Sequence, residues 1–293
     1  MAKQQPRPAD GRDGYALGPD PSPDGMTEAG AVVADPVREV YDRTAPIYDR
    51  MTGADDYDLW VGLYRELIDR HGAPGRELVD LGCGTGKAAL RLASSGFRVT
   101  GMDLSPEMIR MACAKPGAEN VRFAVGDLRD LPEAGPFDVA VALGEPLNYL
   151  ADQDELLTSF RSVAGVLRPG GLFVFDVNSA GFYRRLAEET SVEEEPGAVI
   201  VHRGSASPRQ AEAADLRIDY FATADGLTWQ RTSALHSFSY FAPDDVARLL
   251  NTAGLAQLAA YGLHRGALVP GGDEERDRKR LVVARKNAAA LTR

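Results

Sequence analysis

The sequence predicts a doubly wound α/β fold carrying a β insertion. Three observations lead there. Apolar segments of strand length alternate with amphipathic helical segments from residue 77 to residue 177, the order that builds a parallel sheet with helices on both faces. A glycine-rich loop, Gly82-Cys83-Gly84-Thr85-Gly86, follows the first of those strands directly. Beyond residue 190 the pattern turns to period-two alternation around Asp225-Gly226, a hairpin signal.

The elements follow in chain order. Residues 1–36 read as a disordered tail. Pro6, Pro8, Pro19, Pro21 and Pro23 interrupt it, and its few apolar side chains cannot offset ordering entropy. It holds no apolar leader segment, and no run in the chain approaches the ~20 apolar residues that span a bilayer. Residues 37–190 read as two N-terminal helices, broken around Gly53, and a ligand-binding core. In that core Leu78–Leu81, Phe97–Met102, Val121–Val125, Val139–Leu143 and Leu172–Val177 are the strands. Ser105 and Pro106 are the N-cap and first residue of one helix. Leu156, Phe160, Val163 and Leu167 form one face of another, which Pro169-Gly170-Gly171 should stop. Residues 191–241 are the β insertion, with Leu227 and Trp229 opening its return strand. Residues 242–293 complete the core with a helix from Pro243 and the strands Ala256–Tyr261 and Leu281–Ala284. The charged stretch Asp273–Arg280 between them reads as a solvated loop.

Composition narrows the function. Lysine and arginine total 33 against 43 acids, a net charge of −10 over 293 residues, which repels phosphate backbones and argues against nucleic acid as a partner. Two cysteines, Cys83 and Cys113, and four histidines without metal-ligand spacing point to a reduced cytoplasmic protein with no structural metal and no membrane association.

The glycine loop carries the chemistry. A phosphate-gripping loop would need a glycine where Leu81 stands and a Ser or Thr where Ala88 stands. A dinucleotide loop has the spacing G-x-G-x-x-G, and here it is G-x-G-x-G. Asp80 adds a carboxylate beside the loop, which repels a pyrophosphate and welcomes an ammonium or sulfonium. Asp103 ends the next strand, where a carboxylate accepts hydrogen bonds from ribose hydroxyls. An unphosphorylated ribose with a cationic tail describes S-adenosyl-L-methionine better than NAD.

These segments resemble the class I S-adenosylmethionine-dependent methyltransferases. The likeness rests on Val79–Gly86, Val99–Ser105, Val125–Leu128, Phe137–Val139 and Leu167–Gly171. It implies a seven-stranded Rossmann-like sheet with an antiparallel last strand. It also implies Gly82 and Gly84 against the methionine part, Cys83 between them, Asp103 on the ribose, Asp127 on the adenine amino group with Leu128 beside it, and Leu104 and Met108 packing on adenine. A narrower likeness, through Tyr41-Asp42, Tyr48-Asp49, Tyr57, Trp60 and Leu147-Asn148-Tyr149-Leu150, is to small-molecule enzymes such as the amino-sugar N-methyltransferases of antibiotic pathways. There an N-terminal helix caps the cofactor, which makes Tyr48 and Trp60 candidate contacts.

The expected reaction is methyl transfer to N or O of a small molecule. If the acceptor must lose a proton, Tyr149, Glu145 and His236 are candidate bases. The insertion is expected to wall the acceptor pocket with Trp229, His236 and Phe238, Tyr149 standing opposite; the alternative is that it pairs with a second copy in a homodimer. Two other functions stay open: an S-adenosylmethionine-binding protein without methyl transfer or with another reaction, and an NAD-dependent oxidoreductase.

Overall fold

The computed structural model describes residues 35–53, 55–132, 135–264 and 266–288. Of the expected tail, 1–34 lies outside them. Its last two residues belong to the fold: Asp35 caps helix α1 (Pro36–Met51) through its side chain, and Pro36 takes the first helical position. Helix α2 (Tyr57–His71) follows, capped by Asp56.

Alternation then runs as β1 (Glu77–Leu81), α3 (Lys87–Ser94), β2 (Arg98–Asp103), α4 (Pro106–Cys113), β3 (Val121–Val125), β4 (Phe137–Ala142), α5 (Gln153–Val166), β5 (Leu167–Asn178) and α6 (Ala180–Glu188). Strands β6 (Thr190–Glu195), β7 (Ala198–Ala206), β8 (Ala214–Ala222) and β9 (Gln230–Ser237) come next, then α7 (Pro243–Thr252), β10 (Leu255–His264), β11 (Ala267–Pro270) and β12 (Lys279–Lys286).

The main sheet has eight strands in the order β11-β10-β12-β5-β4-β1-β2-β3. β1 to β5 pair in parallel, and β12 runs antiparallel to both β5 and β10. The antiparallel β12 is as expected. The count of seven is exceeded by β11, a short edge strand that pairs back on β10 through residues 261–270. The central strands are apolar on both faces because both are covered. Leu156, Phe160 and Val163 of α5 and Leu249 and Leu250 of α7 pack on one face, and Leu63, Tyr64 and Leu67 of α2 with Leu92 of α3 on the other. Helix α5 ends at Val166, ahead of Pro169, because Leu167 is already paired with Phe137 of β4.

The insertion is a separate antiparallel sheet, β6-β7-β8-β9. Its β8–β9 connection is longer than a two-residue hairpin. Asp225 accepts hydrogen bonds from the backbone of Leu227 and Thr228, and this side-chain turn holds Leu227 and Trp229 in the connection.

The stretch Asp273–Arg280 is a solvated loop only in part: Asp273, Glu275, Arg276 and Arg278 are exposed. Asp277, Lys279 and Arg280 are buried. Asp277 accepts from the backbone of Asp273, Arg280 donates to the Phe241 carbonyl and pairs with Glu274, and Lys279 opens β12 with its ammonium turned inward. Buried charges persist where partners meet them, and the partners of Lys279, Glu145 and Asp176, are distant in sequence. No helix among the described residues is long and apolar enough to cross a membrane.

Candidate active site

The loops after β1, β2, β3 and β4 and the inner face of α1 enclose one cleft of about 960 Å³, its open mouth included. It lies beyond the carboxyl ends of the parallel strands, where the strand order reverses about β1.

The glycine loop forms its floor. Gly82 has φ +70°, a conformation that disfavours side chains, and a Cβ there would lie 2.7 Å from Cβ of Pro146. Asp103 is bound by two backbone donors: Gly84 N at 2.8 Å and Ser105 N at 2.9 Å. A carboxylate has about four acceptor positions, so capacity remains toward the cleft. Burial raises the Asp103 pKa, with these hydrogen bonds working the other way. Asp80 is buried on β1 just ahead of the loop, and its Oδ2 has no hydrogen-bond partner among the described residues. Burial, with the negative charge of Asp103, pushes its pKa up to about 7.

Helix α1 is the roof. Tyr41 and Tyr48 are seven residues apart, hence on one helical face, and both line the cleft. The helix is tied down along its length. Asp42 accepts from the Ser105 hydroxyl at 2.5 Å, and Asp49 accepts from Thr85 at 2.5 Å and from Lys115 at 2.7 Å. Lys87 donates to the Thr52 hydroxyl at 2.7 Å and to the carbonyls of Thr52 and Asp49.

Beside β4 the wall is phenolic. Tyr41 donates to the Tyr149 hydroxyl at 2.7 Å, and that hydroxyl lies 2.9 Å from Nδ1 of His236. Burial holds the pKa values of Tyr41, Tyr48 and Tyr149 well above the ordinary phenol value and raises Tyr57 to about 12. Burial also lowers His236 to about 4, so its imidazole is neutral. Glu145 stands apart from this group. Its backbone is left-handed at φ +56°, and its carboxylate pairs with the buried ammonium of Lys279, which also sits 2.9 Å from Asp176. Asp176 in turn accepts the N–H groups of Gly144 and Glu145 and the Tyr64 hydroxyl. The Lys279 pKa is raised: burial opposes the charge, and Asp176 and Glu145 outweigh it.

Of the residues picked out in the sequence, Tyr48, Gly82, Cys83, Gly84, Asp103, Leu104, Asp127, Leu128 and Tyr149 line the cleft, whereas Asp80 is buried on β1 and is not part of its lining. His236 and Phe238 sit behind Tyr149, Phe238 with its ring centroid 5.0 Å away. Four residues are elsewhere. Trp60 lies under the Lys279 ammonium, 5.0 Å from ring centroid to nitrogen. Met108 is buried as helix packing, Glu145 is engaged by Lys279, and Trp229 is half exposed on the β8–β9 connection. Sequence reasoning passed over Tyr41 and Tyr57 as site residues, although the repeat Tyr41-Asp42 and Tyr48-Asp49 is a helical-face signal. Arg129 and Lys279 carried no local signal.

A model of the methyltransferase domain matches residues 78–171. A protein of Geobacillus sp. (strain WCH70), provisionally named a methyltransferase, is 30% identical over 224 residues, covering 74% of this chain and 90% of the relative. The chain belongs to the S-adenosylmethionine-dependent methyltransferases. The dTDP-3-amino-3,6-dideoxy-alpha-D-glucopyranose N,N-dimethyltransferase of Streptomyces fradiae is 27% identical to this methyltransferase, covering 77% of the chain and 89% of that enzyme. In fold, an S-adenosylmethionine-dependent methyltransferase from Clostridium acetobutylicum matches with a TM-score of 0.71 at 23% identity, covering 85% of this chain and 99% of that one. The residues fit the cofactor. The unpartnered Asp80 oxygen and the spare acceptor positions of Asp103 suit a ligand bearing an ammonium and a ribose diol.

Proposed function

We propose that this methyltransferase methylates an amino nitrogen of a small-molecule acceptor that approaches along the tyrosine wall. On this reading Asp103 holds the ribose, Asp80 faces the cofactor's ammonium, Gly82 and Gly84 admit its methionine part, and Leu104, Asp127 and Leu128 receive adenine. When bound, S-adenosylmethionine supplies a methyl carbon already activated by its sulfonium. The chain's own work is then to align the acceptor and exclude water.

One observation carries the choice of nitrogen: the hydrogen-bonded set Tyr41, Tyr149 and His236 contains no carboxylate, only two phenols and an imidazole whose basicity burial lowers. The phenols stay protonated, the imidazole is too weakly basic to take a proton near pH 7, and the Glu145 carboxylate is neutralised by Lys279. An alcohol needs a base to become a nucleophile. An amine is already neutral in part at mildly alkaline pH, and needs only its lone pair aimed at the methyl group. Tyr149 is accordingly a positioning donor or acceptor, and His236 fixes its rotor. The Streptomyces fradiae relative, named for dimethylation of an amino sugar, supports the same choice.

The test is direct. Paired amino and hydroxy sugars of the same skeleton are offered with isotopically labelled cofactor, and products are read by mass spectrometry. Label on the amine alone is expected. Label on hydroxyl oxygen alone would overturn the assignment.

A further inference from the structure

Arg129 is a charge on the cleft wall that this reading leaves unused. Its Nε lies 3.0 Å and 3.1 Å from the two oxygens of Asp127, and one terminal nitrogen lies 2.7 Å from Asp127 Oδ2. That nitrogen is also 2.7 Å from Oδ2 of Asp35, and the other is 3.1 Å from Oε1 of Glu155. Three separate elements therefore meet at one guanidinium: the loop after β3, the cap of α1 and the first turn of α5. The hydrogen bonds to Asp127, more than any other contact, raise the Arg129 pKa above its ordinary value.

The two ends of Asp35 do different work. Its Oδ1 accepts from Val37 N at 2.9 Å and caps α1, while Oδ2 reaches Arg129. The carboxylate that starts the roof helix also fastens it to the far wall. A lone exposed ion pair contributes little, but a forked guanidinium locks the plane of a carboxylate, which a single ammonium does not do. Asp127 Oδ1 also accepts from the Arg129 backbone N–H at 2.8 Å, so Arg129 occupies one side of the carboxylate and leaves about one of its four acceptor positions directed elsewhere.

We infer that Arg129 is a positioning residue of the cofactor site: it orients Asp127 for the adenine amino group and clasps the first turn of α1 over the cleft. The inference rests on the reading above that Asp127 receives adenine.

The experiment compares S-adenosylhomocysteine with its 6-oxo, inosine-containing analogue by calorimetry. The wild-type protein is expected to prefer the 6-amino ligand by about tenfold or more, the scale of one charge-assisted hydrogen bond. Arg129→Met should weaken S-adenosylhomocysteine about tenfold and lose most of that preference, and Arg129→Lys should not restore it. Asp35→Asn removes the clasp alone, so dissociation should quicken several-fold while the base preference survives. A folded Arg129→Met protein that keeps both affinity and preference overturns the proposal. Should that variant fail to fold, unchanged dissociation rates in Asp35→Asn and Glu155→Gln overturn the clasp. Wild-type protein that binds S-adenosylhomocysteine without preferring the amino group overturns the Asp127 placement and the proposal with it. Absence of wild-type binding would instead count against the cofactor assignment.

Discussion

The glycine loop and the insertion sheet serve one cleft across very different distances along the chain. The loop finds its partners close by: Gly84 donates to Asp103, 19 residues on, and Asp103 also holds Ser105. The insertion contributes no side chain to the cleft wall among the described residues. It acts on the parts that do. Ile47 and Met51 of α1 pack on Ile200, Ile218 and Tyr220, Arg43 reaches the Ser233 carbonyl 190 residues away, and His236 of β9 holds the Tyr149 hydroxyl. The glycine-loop floor is thus shaped by local backbone chemistry, and the roof and tyrosine wall by a sheet that braces them from behind.

Removing the brace is the harshest way to break that comparison. Replacing residues 190–237 by a short Gly-Ser link should abolish methyl transfer and also weaken cofactor binding, because α1 loses the apolar surface it rests on. Calorimetry that finds cofactor affinity intact would limit the brace to the Tyr149 side of the cleft, which His236 holds. On the floor, Asp103→Ala should lower S-adenosylmethionine affinity tenfold or more, since it removes charge-assisted hydrogen bonds of roughly 1.5–3 kcal/mol each. The fold should survive. An unchanged dissociation constant would sink the ribose assignment.

Asp80 adds a pH signature to the floor. Its folded pKa of about 7 lies above the unfolded value of about 3.9, so its ionisation destabilises the free protein as pH rises through that window. On the proposed reading, ionised Asp80 is the form that receives the cofactor's ammonium. Cofactor affinity should therefore fall by up to about tenfold between pH 8 and pH 6, and Asp80→Asn should flatten that dependence. The same variant should raise the melting temperature of the free protein more at pH 8 than at pH 5. A melting advantage confined to pH 5 would contradict the raised pKa.

The smallest effect is expected at the acceptor wall. Tyr149→Phe keeps the ring and loses one neutral hydrogen-bonding group, so turnover should drop by only about three- to tenfold with cofactor affinity unchanged. A fall of roughly 10²-fold or more would mark the hydroxyl as a proton acceptor after all.

How far the sequence could be read follows the same division. The glycine loop, Asp80, Asp103 and the Ser105 cap were legible because each is defined by residues within one turn or strand end. The parallel core was legible because its strands are buried on both faces and so are apolar throughout. Trp60 was misplaced because an aromatic residue on an amphipathic helix looks the same whether it meets a cofactor or a buried ammonium. The charged run Asp273–Arg280 looked like a solvated loop because its counter-charges, Asp176 and Glu145, lie a hundred residues or more upstream. Arg129 was silent for the same reason, since two of its three carboxylates come from other elements.

Lys279 carries that separation into the order of synthesis. It opens β12, which is slotted between β5 and β10, third from one edge of the sheet. During translation the Gly144–Tyr149 segment leaves the ribosome more than a hundred residues ahead of the lysine that pairs with Glu145 and Asp176. Until β12 emerges, two carboxylates around that turn lack their cation, and β5 is left as an open edge of the parallel strands. The nascent chain consequently can form its cofactor floor early, while the acceptor wall waits for one of the last strands to be made.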